Sequence, residues 1–233
     1  MEQLIRFFKG RKIAKILDVG TGTGDFLSVL KDVFPGAEIT GVDPNEESLI
    51  KAAARFPDVR FKKMSAEKIG FPNNSFDVVT ISMALHHLLD VELALREIKR
   101  VTKPGGSVII NELFSDNLNK AQEVHKLYHH FGSQIDRILG INHNPAFKKR
   151  EIFQEVENAG IRIQFHFEFV KEENIILTSA EIEERVRKMK RRLETVKDHT
   201  EYKNLESQIP KFEGKVVRFG FQSATRIVIV GEG

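Results

Sequence analysis

The stretch "KILDVGTGTGDF", residues 15–26, constrains this chain more than any other: an apolar run ends on three glycines spaced two apart, and a helical pattern follows. Glycine enters left-handed backbone conformations freely and has no Cβ, so such a turn lets a strand bend sharply into a helix while a ligand approaches the backbone. The same rhythm repeats downstream. "AEITGVD" precedes a helical pattern from about Asn45, "VRFKKM" follows, "FDVVTIS" precedes one from about Val91, and "SVIINELF" comes next. Strands alternating with helices imply an α/β fold, a parallel sheet covered by helices on both faces. Helix stops fall where that rhythm needs them, at "FPGAE" near Pro35 and at "KPGG", Lys103 to Gly106.

The rhythm changes after Phe114. Residues 115–147 are polar, rich in histidine and mostly helical in period, and they read as an insertion. A helix at about Lys148 to Ala159, ended by Gly160, leads into the alternating run "IRIQFHFEFV". A second insertion, 175–210, carries Ile182, Val186, Met189, Leu193 and Val196 at helical spacing, a narrow apolar stripe on a charged helix. The tail "KVVRFGFQSATRIVIVG" reads as rich in strand. At 233 residues and 26.6 kDa the expectation is a single domain, 1–233, bearing two insertions.

The glycines alone do not choose a ligand, because dinucleotide-binding turns also place glycines after a first strand. The spacing separates the two cases. A G-x-G-x-x-G run begun at Gly20 would need glycine at Asp25, and one begun at Gly22 would need it at Leu27. The acids argue the same way, since a carboxylate in the first turn of a helix repels the pyrophosphate that such a helix would otherwise accept. Asp25 stands there and Asp18 ends the strand, so the pocket suits a ligand carrying positive charge and no phosphate. S-adenosylmethionine (SAM), with its sulfonium and ammonium groups, meets that description. Asp43, 19 positions beyond Gly24 at the end of the second strand, can accept both hydroxyls of a ribose; the alternative is a helix cap for the turn into Asn45.

"ILDVGTGTGDFL", "GVDPNEESL", "SAEKIGFPNNSFDVVTISMALHHLLD" and "LREIKRVTKPGGSVII", in this order and spacing, resemble the class I SAM-dependent methyltransferases, and within them the branch of ubiquinone and menaquinone C-methyltransferases. The resemblance covers about residues 13–113 and thins beyond 114. It implies a Rossmann-like seven-stranded sheet with the last strand antiparallel, and helical insertions after the fifth and sixth strands. It also implies site residues. Asp18, Gly20, Thr21, Gly22 and Gly24 would hold the methionine end, Asp43 with Pro44 the ribose, and Ser65, Ala66 and Glu67 the adenine. The family often has Asp where this chain has Ser65, so a hydroxyl would replace the usual carboxylate contact. Ser82 and Met83 would lie beside the methionine part, with His86 and His87 facing the substrate.

Methyl transfer from a sulfonium is an in-line displacement on an activated donor, yielding S-adenosylhomocysteine, and positioning supplies much of the acceleration. A base is needed only when the nucleophile carries a proton, and His86, His87 and Glu112 are the candidates. The expected reaction is transfer to O, N or C of a small molecule. The first insertion should roof the acceptor pocket, with His87, His125, Tyr128, His129 and His143 as acceptor contacts. His125 and His129 share a helix face, a spacing that could ligate a metal with His143, but no carboxylate completes a known ligand motif and no metal is expected.

Composition excludes more than it selects. The chain has no cysteine, which removes disulfides, thiolate metal sites and cysteine-dependent methyl transfer. "SMAL" after the fourth strand lacks the Asn/Asp-Pro-Pro-aromatic run of amino-methylating enzymes of nucleic acid bases. A net charge of +3 is only mildly basic, and "RVRKMKRR" at 185–192 follows glutamates that should pair with it, so RNA or protein modification by helix 181–197 is a rival, as is a non-catalytic SAM-binding scaffold. The apolar stripe should pack on the sheet's last strands or on a second copy, as a homodimer contact or a lid. With no apolar stretch near the roughly 20 residues of a membrane span and a poor amino-terminal signal, a cytoplasmic protein is expected.

Overall fold

A computed structural model describes residues 1–170 and 175–233. The chain forms two compact units, one of Met1–Glu112, Arg150–Glu168 and Ile227–Gly233, the other of Leu113–Lys149 and Phe169–Arg226.

The first unit holds the sheet. Strands β1 (Lys15–Val19), β2 (Glu38–Asp43), β3 (Arg60–Lys63), β4 (Phe76–Ser82), β5 (Thr102–Leu113), β6 (Arg162–Phe169) and β7 (Arg226–Glu232) lie in the order β3-β2-β1-β4-β5-β7-β6. The pairings from β3 through β5 are parallel, and the last strand is antiparallel. Helices α1 (Glu2–Phe8), α2 (Leu27–Val33), α3 (Glu46–Arg55), α4 (Val91–Val101) and α6 (Lys149–Asn158) accompany these strands. Ile16, Leu17 and Val19 of β1, Val78, Val79 and Ile81 of β4, and Val108 to Ile110 of β5 are all fully buried, as near-continuous apolar runs should be in strands covered on both faces. Asn45 caps α3 by accepting from Ser48 N at 3.0 Å, and Asp90 caps α4 by accepting from Leu93 N at 2.9 Å, so both helices begin where the sequence places them.

Helix α2 starts at Leu27, two residues after Asp25. Gly24 has φ +84°, outside the helical region, so the chain cannot wind until it is past this residue.

The second unit is helical: α5 (Lys120–Ile138), α7 (Ser179–Glu194), α8 (Tyr202–Glu206) and α9 (Gln208–Phe219). Two expectations are corrected here. The stripe of α7 is covered within its own unit: Val186, Met189, Leu193 and Val196 are buried in one cluster with Phe131 and Ile135 of α5 and Phe212 and Val216 of α9. The tail is also less strand-rich than it reads, because 215–219 belong to α9 and only Arg226–Glu232 form a strand. Ile209, Phe212 and Val216 are spaced three and four apart, and burying that face within the unit overrides the β preference of "KVVRF".

Candidate active site

The carboxyl ends of β1, β2 and β4 converge around the glycine turn. In register, Asp18 of β1 lies beside Gly41 of β2 and Thr80 of β4. Its carboxylate is 1% exposed, and Oδ1 accepts from Thr80 Oγ1 at 2.6 Å. Oδ2 has no hydrogen-bond partner. Burial pushes the carboxyl up to about 6, the Thr80 and Thr21 hydroxyls oppose this, and the charge of Asp43 adds to it. Thr21 is also buried, its hydroxyl acting on the Asp18 carboxylate, and its backbone N–H donates to Val42 O at 3.0 Å and fastens the turn to β2.

The three glycines divide the labour. A Cβ on Gly20 would lie 2.7 Å from Ala84 Cβ, and one on Gly24 would lie 2.9 Å from the Phe56 ring. Close packing therefore demands both. At Gly22 a Cβ would meet nothing within 4 Å, although φ is +52°; this is where the turn stays open to a ligand. Asp43 closes the loop, since Oδ2 accepts from Gly22 N at 2.9 Å and Oδ1 from Asn45 N at 2.8 Å. The helix cap is Asn45, and Asp43 instead ties the first two strand ends together while retaining lone pairs for further donors.

Asp25 differs from the sequence reading. It is exposed and its Oδ1 lies 2.6 Å from Arg55 Nη1, which also donates to Thr23 O at 2.6 Å. Its charge is thus largely answered by Arg55, so the burden of favouring a cation falls on Asp18 and Asp43.

At the expected adenine segment the Ser65 hydroxyl is engaged with the Glu67 carboxylate, and Glu67 Oε1 also accepts from Leu89 N at 3.1 Å. Ala66 is buried and Pro44 exposed. Ser82 ends β4, and Met83 follows with φ +54°, a left-handed conformation that a side chain rarely adopts. Its N–H donates to Asn111 O at 2.7 Å, and Asn111 Nδ2 donates to Ser82 Oγ at 2.8 Å while Asn111 Oδ1 is buried without a partner. Such strain, held by β5, belongs to the kind of turn that active sites use. Thr80, Asn111 and Arg55 escaped the sequence reading; the signal for Asn111 was a polar pair, "NE", within an otherwise apolar strand.

The turn after Met83 carries His86 and His87 at Leu85–His87, next to the glycine loop through the Gly20–Ala84 contact. His86 is buried, and its Nδ1 lies 3.0 Å from Glu112 Oε1; Oε2 of the same carboxylate accepts from Leu85 N at 2.9 Å. Glu112 has no exposed surface. His87 is exposed, its ring 4.3 Å from that of His86.

The remaining expected residues sit in the second unit. His125 Nδ1 is 3.4 Å from Ala224 N. Tyr128 packs its ring against Phe212 and Phe221, with centroids 5.4 and 5.9 Å away, so much of it serves the core. His129 and His143 approach each other, Nε2 to Nε2 at 3.2 Å, and His143 Nδ1 lies 2.7 Å from Asp136 Oδ2. On α7 the expected pairing of glutamates with the basic run is partly replaced: Glu181 caps the helix through Thr178, whereas Glu184 lies within ion-pair reach of Arg187, Lys188 and Arg191. Arg192 pairs with Asp136 and Arg185 stacks over Phe221 at 4.4 Å, which leaves little of this face as an unanswered basic patch.

The family described as "Methyltransferase domain" matches residues 17–110. Demethylmenaquinone methyltransferase of Chlorobaculum tepidum is 30% identical over 181 residues, covering 72% of this chain and 74% of that one. The chain belongs to the class I SAM-dependent methyltransferases, in the branch resembling the quinone methyltransferases. This methyltransferase is also 42% identical over 102 residues to the demethylmenaquinone methyltransferase of Thermus thermophilus, spanning 42% of this chain and 46% of that relative. The YcgJ protein from Bacillus subtilis shares its fold, with TM-score 0.64 and 20% identity over 99% of this chain and 96% of that one. No described helix is long and apolar enough to cross a membrane.

Proposed function

We propose that this methyltransferase binds SAM at the carboxyl ends of β1, β2 and β4 and methylates a small aromatic acceptor of the demethylmenaquinone class, in the cytoplasm, with His86 as the proton acceptor. When bound, SAM supplies a methyl group made electrophilic by the sulfonium. The residues present suit it. The fully buried carboxylate of Asp18 suits a further donor, preferably a cationic one, and the glycine turn is open at Gly22. Asp43 can accept from hydroxyls while keeping its two backbone donors.

The observation that carries the acceptor class is the buried His86–Glu112 pair. A carboxylate can only accept, so the proton on His86 sits at Nδ1 and the basic lone pair is at Nε2. A phenolic hydroxyl that loses its proton there pushes charge into its ring, which strengthens the adjacent carbon or the oxygen as nucleophile. Glu112 holds the tautomer and steadies the imidazolium that forms. The names of the relatives point to the same class of acceptor.

The test is methyl transfer from labelled SAM to a reduced naphthoquinone lacking the methyl group. His86→Gln should lower kcat by about 10²–10⁴-fold with cofactor binding unchanged. An unaltered kcat in that variant would remove His86 as base. Intact cofactor binding without methylation of any such quinol would remove the acceptor class.

A further inference from the structure

The second unit contains a cluster of imidazoles that the methyl-transfer chemistry above does not use. We propose that His129 and His143 bind a divalent transition metal ion through their Nε2 atoms, with Asp136 as the carboxylate that orients His143.

Without an ion the two Nε2 atoms share a hydrogen bond, and their spacing also matches that of a ligand pair. Two imidazole nitrogens bound to one tetrahedral ion at 2.0–2.1 Å lie about 3.3 Å from each other. The two Nε2 atoms are 3.2 Å apart. Asp136 Oδ2, 2.7 Å from Nδ1 of His143, fixes the proton on that nitrogen and leaves Nε2 with its lone pair. Carboxylate, imidazole and ion in that sequence form the usual support of a histidine ligand, setting both tautomer and ring direction.

The scaffold is rigid where it needs to be. His129 and Asp136 stand on the 19-residue helix α5, whose Asn119–Gln122 capping box fixes its start. His143 lies in the loop that follows, and the backbone there is tied back to the same helix by Arg137 Nη1, which donates to His143 O at 3.0 Å. The other oxygen of Asp136 receives Arg192 of α7, so the orienting carboxylate is itself held. One helix and its trailing loop therefore present both ligands, and His143 is buried.

There is also access. A small cavity lined by Leu113, Phe114, Leu118, His125, His129 and Ala146 lies against His129 and has room for about one water, which could fill an open position on the ion. Two neutral imidazoles suit zinc, cobalt, nickel or copper, whereas calcium and magnesium prefer oxygen donors. With no cysteine in the chain, thiolates cannot compete for the ion.

The experiment uses the full chain, free of any histidine tag, stripped with a chelator and titrated with Co²⁺ or Zn²⁺. One ion per chain is expected, with Co²⁺ showing the visible absorption of a low-symmetry, nitrogen-ligated site. His129→Gln and His143→Gln should each weaken binding at least about 100-fold, Asp136→Asn about 10–100-fold, and the exposed His199→Gln should leave it unchanged. A measurement on the unaltered chain guards against variants that fail to fold: Zn²⁺ should shield His129 and His143 from acylation by diethyl pyrocarbonate, mapped by mass spectrometry. Absence of stoichiometric binding, equal reactivity of these two histidines with and without Zn²⁺, or retained binding in the double variant would overturn the site. Since each readout is metal binding, none depends on the acceptor or on methyl transfer.

Discussion

Replacing Asp18 with Asn should make the protein more stable and less able to bind SAM, and the size of the first effect follows from the buried carboxyl. In the unfolded chain this group ionises near its ordinary value of 3.8, and in the fold burial raises it to about 6. Between those values the folded state holds a proton that the unfolded state has lost, so folding takes up a proton and stability falls as pH rises. At 1.36 kcal/mol per pH unit the loss amounts to about 3 kcal/mol, complete above pH 7. Other carboxyls titrate as well; Glu97, for example, is held low by the Arg100 guanidinium and stabilises the fold as pH rises through the acid range. Their contributions cancel when variant and parent are compared under the same conditions. The measurement is urea denaturation of both proteins from pH 4 to pH 8. The stability of Asp18→Asn relative to the parent should climb by about 2.4 kcal/mol between pH 4 and 7 and then stay nearly level. A difference independent of pH would show that Asp18 ionises normally in the fold and would remove the electrostatic basis of the cofactor reading. In the parent, SAM affinity should also fall by up to about tenfold per pH unit below 6, because protonating Asp18 removes a charge that answers the cationic end of the cofactor.

Three further outcomes are expected. SAM at 100 times its Kd should add about 2.7 kcal/mol to the stability of the parent in a thermal-shift assay, and Asp43→Ala should abolish most of that gain; a variant that shifts as the parent does would refute the ribose role. Gly24→Ala should destabilise by more than the roughly 1–2 kcal/mol owed to its left-handed backbone, because the new methyl group meets Phe56, while Gly22→Ala should cost about that much and fall mainly on cofactor affinity. The two variants swapping these effects would contradict the assigned roles. Phe212→Ala should cost about 3–5 kcal/mol in chemical denaturation, as removal of a fully buried ring does; a loss under 1 kcal/mol would mean that the helical core of the second unit is not packed as described.

The sheet and the outline of the cofactor site were legible in the amino-acid order because both rest on local chemistry. Apolar runs of strand length, glycines where the backbone must turn left-handed, and a carboxylate at a strand end are each dictated by a few consecutive residues. Contacts between residues far apart in sequence were not legible. Gly24 needs to be glycine because Phe56, 32 positions on, packs against it; Asp25 is answered by Arg55; and Glu112 becomes a positioning group because its strand end lies under His86. The stripe on α7 declared that it must be buried, but only packing chose Phe131 and Phe212 as its cover, and the same burial turned "KVVRF" from strand to helix. Sequence spacing fixes which side chains share a face of one element, whereas the partner of that face is decided by which burial removes most apolar surface from water, a property of the whole fold.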